Sequence, residues 1–194
     1  MDHSDPVHFD VEALRPGRWR NGGGATREIV ARPSATEEFR WRASVADIDA
    51  DGPFSPFPGV DRTLTLLTGD GVRLTCPGQF DRLLTRVGEP FAFSGDLNLT
   101  AELPGGPCWV LNIMTRRDRW TARVARASAP VVPRTGHSGL LYVQQGRWRT
   151  GTEGRVLSPG EGVWWDGTAP AEAPMAQPLS PDAVALWADV APAE

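Results

Sequence analysis

A chain of 194 residues is long enough for one substantial core or two small ones. Its 40% hydrophobic and 23% charged residues exclude a disordered chain, and no apolar run reaches the ~18 residues needed to cross a bilayer. The net charge of −4 argues against nucleic-acid or anionic-membrane partners, the absence of lysine excludes a Schiff base and a P-loop, and 21 Gly with 18 Pro argue against long helices.

Residues 1–17 read as an irregular arm, and the polar, acidic opening MDHSDPVHFD is unlike a signal peptide. Short alternating runs then predict strands near Thr26–Ala31, Phe39–Ala46, Arg62–Leu67, Val72–Thr75, Asn98–Leu103 and Trp109–Thr115. Further strands are predicted near Trp120–Arg126, Leu140–Gln144, Trp148–Thr150, Gly162–Trp165 and Val184–Val190. Asp51-Gly52-Pro53, Gly69-Asp70-Gly71, Pro104-Gly105-Gly106 and Gly146 separate them as turns. Only Gly78–Val87, with Phe80, Leu83, Leu84 and Val87, carries a short helical period. Many short strands predict an all-β sandwich or barrel. TLTLLTGDGVRLT at 63–75 and GLLYVQQGRWRTG at 139–151 repeat a strand, a glycine turn and a return strand at nearly half the chain length. LSPGEGVWWDG at 157–167 follows the second copy, an order like that of cupin barrels.

From Glu153 onward seven acids accompany one base, Arg155, which reads as a solvated acidic surface. Cys76 and Cys108 match no zinc spacing and read as buried thiols of a reducing compartment. His3, His8 and His137 are scattered, so a histidine-based metal site is not expected.

In Trp19–Ile29, WRNGGGATREI, three glycines open backbone conformations closed to other residues, either to bring N–H groups to an anion or to make a turn. Strand alternation puts Arg27 with Ile29 and Ala31, Arg62 with Leu64 and Leu66, Asn112 with Val110 and Met114, and Arg42 with Ser44. A guanidinium on an apolar face is costly unless paired. Arg27 and Arg62 therefore meet internal carboxylates such as Glu28, Asp47 or Asp61, or await an anionic ligand, and alternation leaves both open. Gly136-His137-Ser138-Gly139 is not a nucleophile elbow, Asp47, Asp49 and Asp51 read as a polar turn, and the eight tryptophans read as core or pocket wall.

WRNGGGATREI at 19–29, FRWRASVADIDADGPFSPFPGVDRTLTLLTGDGVRLT at 39–75, PFAFSGD at 90–96 and LNIMTRR at 111–117 resemble, in order, the motifs of the HutD/Ves family. The resemblance implies an all-β bicupin: two small antiparallel β-barrel or jelly-roll-like units in one compact chain. Residues 1–17 would be the arm, 18–126 the first unit and 127–194 the second, with strand exchange between units allowed. It also implies a cytoplasmic bacterial protein of histidine utilisation that binds a small carboxylate metabolite, of the N-formylglutamate or formiminoglutamate class, and restrains the pathway. No catalytic activity comes with the family.

Cupins commonly hold a metal through clustered histidines and a glutamate; this chain carries no such cluster, so neither metal nor other cofactor is expected. The expected partner is a small anionic metabolite, not nucleic acid or a membrane, and a homodimer is compatible with the fold. The site residues that the matching motifs carry over are Trp19, Asn21, Arg27, Arg42, Asp61, Arg62, Asn112 and Met114. Arg62 and Arg27 would grip the acid, Asn112 and Asn21 would read an amide or formyl group, Asp61 would orient an arginine, and Trp19 and Met114 would wall the pocket. Val110 stands where the family pattern carries an acid. Two other readings remain: a metal-independent isomerase or amide hydrolase with Asp61 as general base, and a structural or protein-interacting bicupin whose arginines are internal ion pairs.

Overall fold

A computed structural model describes residues 6–33, 39–151, 154–167 and 175–193, and among these the regular structure is β-strand apart from one short 3-10 turn at Val11–Ala13. Contacts divide the chain into two units. The chain opens with β1 (Val7–Asp10). Residues 15–119 then form the first unit from β2 (Gly17–Arg18), β3 (Gly24–Arg32), β4 (Trp41–Ile48), β5 (Gly52–Phe54), β6 (Val60–Thr68) and β7 (Val72–Cys76). It is completed by β8 (Phe80–Leu84), β9 (Pro90–Ser94), β10 (Leu99–Glu102) and β11 (Cys108–Arg116).

These strands pair antiparallel into a six-stranded sheet, β2-β3-β4-β11-β6-β9, and a four-stranded sheet, β5-β10-β7-β8. Alternation decides which side chains meet between them. Ile48, Leu64, Leu66 and Val110 of the larger sheet pack with Val72, Leu74, Leu84 and Leu99 of the smaller one. Leu64, Leu66 and Leu74 are fully buried, each contributing about 1.5–3 kcal/mol through loss of apolar contact with water.

The second unit takes β1 together with β12 (Trp120–Ala127), β13 (Ser138–Gln145), β14 (Trp148–Thr150), β15 (Val156–Leu157), β16 (Glu161–Trp165), β17 (Ala176–Pro178) and β18 (Val184–Pro192). Its sheets run β1-β16-β13-β18-β12 and β15-β14-β17. Leu141, Val143, Val163 and Trp165 pack there with Trp148, Leu157 and Ala176. The internal repeat now has a structural meaning. In each unit the chain leaves a long strand of the larger sheet (β6 or β13), turns at glycine, and enters the smaller sheet (β7 or β14), where the next strand (β8 or β15) pairs back onto it.

Every strand predicted from alternation finds a counterpart among these. Three segments differ from expectation. Val7–Asp10 lies within the expected arm but pairs residue for residue with Glu161–Trp164, where His8 meets Glu161 at 3.0 Å; four residues are too few for alternation to register. Trp120–Ala127 pairs along its length with β18 and so belongs with the later strands; the chain passes to it through a turn with Asp118 at φ +61°. Gly78–Val87 is not a helix: Gly78 makes a turn and Phe80–Leu84 is a strand on β7. Phe80 and Leu84 share one strand face and Leu83 is half-exposed on the other, so a spacing of three and four mimicked a helical stripe at a sheet edge.

Candidate ligand-binding site

β4, β11 and β6 lie side by side, and their register lays out a grid. Ser44 stands opposite Asn112, and Asn112 opposite Leu64; Arg42 stands opposite Met114, and Met114 opposite Arg62; Ala46 stands opposite Val110. Residues opposite one another share a face, so polar and apolar side chains of three strands converge on one surface. That surface floors a cavity of about 950 Å³. The β2–β3 hairpin closes one side with Arg18, Trp19, Arg20 and Asn21, and the segment from Pro53 to Phe57 closes another. Trp19 is fixed by its indole N–H, which donates to Thr26 Oγ1 at 2.8 Å, and by an edge contact with Phe54.

Arg62 is 5% exposed. Its guanidinium carbon lies 5.5, 5.2 and 5.1 Å from the ring centroids of Phe54, Phe57 and Phe93. Nη1 donates a long hydrogen bond to the Ser55 carbonyl, 3.3 Å, and Nε is buried without a partner. No carboxylate among the described residues pairs with it. Burial pushes its pKa down to about 10, and the positive charge of Arg42 adds to the shift. Asn112, 6% exposed, leaves Oδ1 buried and unpartnered on the same floor. Among the described residues, four arginines line the cavity, at 18, 20, 42 and 62, and no acid does. Arg42 Nε donates to Glu28 at 2.8 Å, and Arg18 reaches Asp49 at only 3.5 Å.

Six of the eight expected residues thus come together: Trp19, Asn21, Arg42, Arg62, Asn112 and Met114. Arg27 does not. It stands opposite Val45, on the reverse face of the sheet, where it pairs with Asp47 and lies 4.8 Å over the Trp109 ring. A bulge between Glu28 and Val30 shifts the register, so Ala31 faces Arg42's side while Arg27 does not. Asp61 also lies elsewhere. It is half-exposed and accepts from Arg117 Nε at 2.8 Å, so it orients no cavity arginine and offers no general base there. The glycine amides close a turn rather than face an anion: Gly22 donates to the Trp19 carbonyl and Gly23 to Asn21 Oδ1. Gly24 is required because a Cβ there would lie 2.1 Å from the Asp47 carbonyl oxygen. The aromatic cage was missed, although Phe54-Ser55-Pro56-Phe57 stands just before the Arg62 strand and places two rings within reach of that cation.

A metal does not fit this cavity. Among the described residues its lining holds no imidazole, thiol or carboxylate, the four guanidiniums repel cations, and no group of three or more such donors is placed to hold an ion.

Beside the cavity, the Asp96 carboxyl is held at about 2, chiefly by the Gly59 N–H and then by Arg117 and Ser94. Its folded pKa lies below the ordinary carboxylate value, so its contribution is complete above about pH 4 and is lost as pH falls through about 2. Thermal unfolding followed by near-ultraviolet circular dichroism should separate wild type from Asp96→Asn at pH 5, and the difference should shrink as pH falls from about 4 through about 2. A difference that persists undiminished as pH falls through about 2 would refute this assignment.

The HutD family model matches residues 11–180. Protein Ves of Citrobacter koseri is 42% identical over 159 residues, covering 81% of this chain and 82% of its own. Protein Ves of Cronobacter sakazakii is 40% identical over 158 residues, covering 81% and 85%. Among solved structures, HutD from Pseudomonas fluorescens SBW25 aligns with a TM-score of 0.84 at 26% identity over 97% of this chain and 100% of that one. A cupin 2 conserved barrel domain protein from Leptotrichia buccalis, 11% identical, aligns with a TM-score of 0.59 over 100% and 98%, a likeness of fold.

Proposed function

This chain belongs to the HutD family, and from that premise we propose that it is a cytoplasmic regulatory protein of histidine utilisation that senses a small carboxylate metabolite. The favoured ligands are of the N-formylglutamate or formiminoglutamate class, held in the cavity over β4, β11 and β6 without a metal. One observation carries the reading: Arg62 is buried and caged by three phenyl rings, and among the described residues it has no carboxylate partner and the cavity is lined by four arginines and no acid. A carboxylate on Arg62 makes charge-assisted hydrogen bonds worth about 1.5–3 kcal/mol each. Asn112 Oδ1, an unused acceptor, suits the N–H of a formamido or formimino group. Trp19 and Met114 exclude water and so strengthen both contacts. Asp61, the base required by the enzymatic alternative, is held by Arg117 away from the cavity, and no observation favours catalysis.

Thermal unfolding in the presence of N-formylglutamate, formiminoglutamate, urocanate or glutamate tests this. A ligand at 100 times its dissociation constant adds about 2.7 kcal/mol, which is roughly 5–10 °C for a chain of this size. A rise of that size with one of the first two supports the proposal. An unchanged melting temperature with all four overturns it.

A further inference from the structure

Three motifs carry residues that never reach the cavity: Pro58, Gly59 and Asp61 after β5, Ser94, Gly95 and Asp96 at the end of β9, and Arg116 and Arg117 at the end of β11. They meet one another instead. Arg117 Nε donates to Asp61 at 2.8 Å, Nη1 to Asp96, and Nη2 to Ser94 Oγ at 2.6 Å and to the Val60 carbonyl at 3.2 Å. Asp96 turns its other oxygen to the Gly59 N–H at 2.7 Å, and the Arg117 backbone N–H donates to the Gly59 carbonyl at 3.0 Å. Arg116 Nη1 donates to the Pro58 carbonyl at 3.0 Å. The turn between Phe57 and Val60 is thus held from side chain and main chain at once.

That turn carries the cavity wall. Phe57 N–H donates to the Gly95 carbonyl at 2.7 Å, and Gly95 N–H to the Val60 carbonyl at 2.7 Å. A Cβ at position 95 would stand 2.7 Å from both the Phe57 and Val60 carbonyl oxygens, so the backbones are in direct contact. Two residues upstream, the Ser55 carbonyl accepts from Arg62, and the Phe57 ring lies 5.2 Å from its guanidinium.

We propose that Arg117 is a positioning residue, which with Asp96 locks the Phe57–Val60 turn against the end of β9 and thereby sets the distance of the Phe57 ring and the Ser55 carbonyl from Arg62. It touches no ligand. Its consequence for affinity rests on the carboxylate-binding reading above; its effect on the Phe57 wall does not. An arginine is suited to this place because its planar fork reaches four acceptors on two segments simultaneously, which a lysine ammonium cannot.

The full chain labelled with 4-fluorophenylalanine tests this, with the Phe57 resonance identified by its absence in Phe57→Leu. Fluorine spectra and N-formylglutamate titrations are compared for wild type, Arg117→Gln, Arg117→Lys and Arg73→Gln. The last removes an exposed ion pair with Asp81 on the β7–β8 hairpin and controls for generic loss of a surface contact. The expected result, well below each variant's melting temperature, is a shifted or broadened Phe57 resonance and at least tenfold weaker binding in Arg117→Gln. Arg117→Lys should recover neither fully, and Arg73→Gln should match wild type in both. If Arg117→Gln does not fold, the isosteric Asp96→Asn, which leaves Arg117 its Asp61 and Val60 partners, is expected to move the same resonance. A Phe57 resonance that stays in place in the folded variant, or moves equally in Arg73→Gln, overturns the proposal. If wild type binds no N-formylglutamate while the Phe57 resonance moves as expected, the binding reading fails and the positioning role stands.

Discussion

Arg62→Met should raise the melting temperature of the ligand-free protein and at the same time abolish its response to N-formylglutamate. The two effects have one cause. The guanidinium has exchanged water for three phenyl faces and one long hydrogen bond to Ser55. Cation–π contacts contribute about 0.5–2 kcal/mol each at best, and the rings at 5.1–5.5 Å stand towards the outer end of their range. Burial, with the charge of Arg42 beside it, pushes the Arg62 pKa from 12.5 down to about 10, which corresponds to about 3 kcal/mol against the charged form at neutral pH. Methionine has a similar length, fills the same cage and makes its own favourable contacts with aromatic rings, about 0.3–1.5 kcal/mol. Replacing even paired buried charges by well-packed apolar groups of similar volume is often neutral or stabilising by about 1–4 kcal/mol, and Arg62 lacks a carboxylate partner among the described residues. At about 2–4 °C per kcal/mol, a gain of about 1–4 kcal/mol should make the ligand-free variant melt roughly 2–16 °C higher. Unfolding curves with and without N-formylglutamate provide both readings. A lower melting temperature in Arg62→Met would mean that the cation is an internal strut, and the account of the cavity as an anion site would lose its foundation.

Much of this site was legible from alternation because β4, β6 and β11 are regular where they form the cavity floor. In each of them a polar residue interrupts an apolar face, at Ser44, Arg62 and Asn112, and the sheet register brings those interruptions together. Period two needs nothing beyond an unbroken strand, so Arg42, Arg62, Asn112 and Met114 came from the sequence with their faces correct. Arg27 failed the same reasoning for an equally local reason. The bulge near Ile29 inserts one residue into β3, and the face assigned by counting holds only on one side of it. Asp61 failed for another reason. It neighbours Arg62 in sequence, but in a strand neighbours point to opposite faces, and its partner lies 56 residues away at Arg117. The aromatic cage and the Arg117 network are built by turns, where no period operates and contact depends on tertiary closure. The strand at Phe80–Leu84 was hidden because an edge strand buries only one face, and a brief apolar pattern there fits either period.

The opposite outcome is expected at Arg27. Arg27→Ala should lower stability substantially and leave ligand affinity unchanged to within about twofold. The pair it forms with Asp47 is enclosed, with both side chains 15% exposed, and the guanidinium also covers the Trp109 ring. Removing the arginine leaves the Asp47 carboxylate largely out of water without its counter-charge, a change that costs about 3–5 kcal/mol in enclosed pairs, or roughly 6–20 °C here. The cavity should not register the loss, because Arg27 stands opposite Val45 while the floor is built from Arg42, Ser44 and Ala46 on the other face of the same sheet. Arg27→Met combined with Asp47→Leu removes the stranded charge along with its partner, and should recover most of the stability that Arg27→Ala loses. Calorimetric unfolding and an N-formylglutamate titration of both variants are sufficient. A tenfold loss of affinity in a folded Arg27→Ala would mean that the reverse face, not the floor over β4, β11 and β6, holds the carboxylate. A stability loss that the double substitution does not repair would mean that the arginine acts through its packing on Trp109 rather than through its charge.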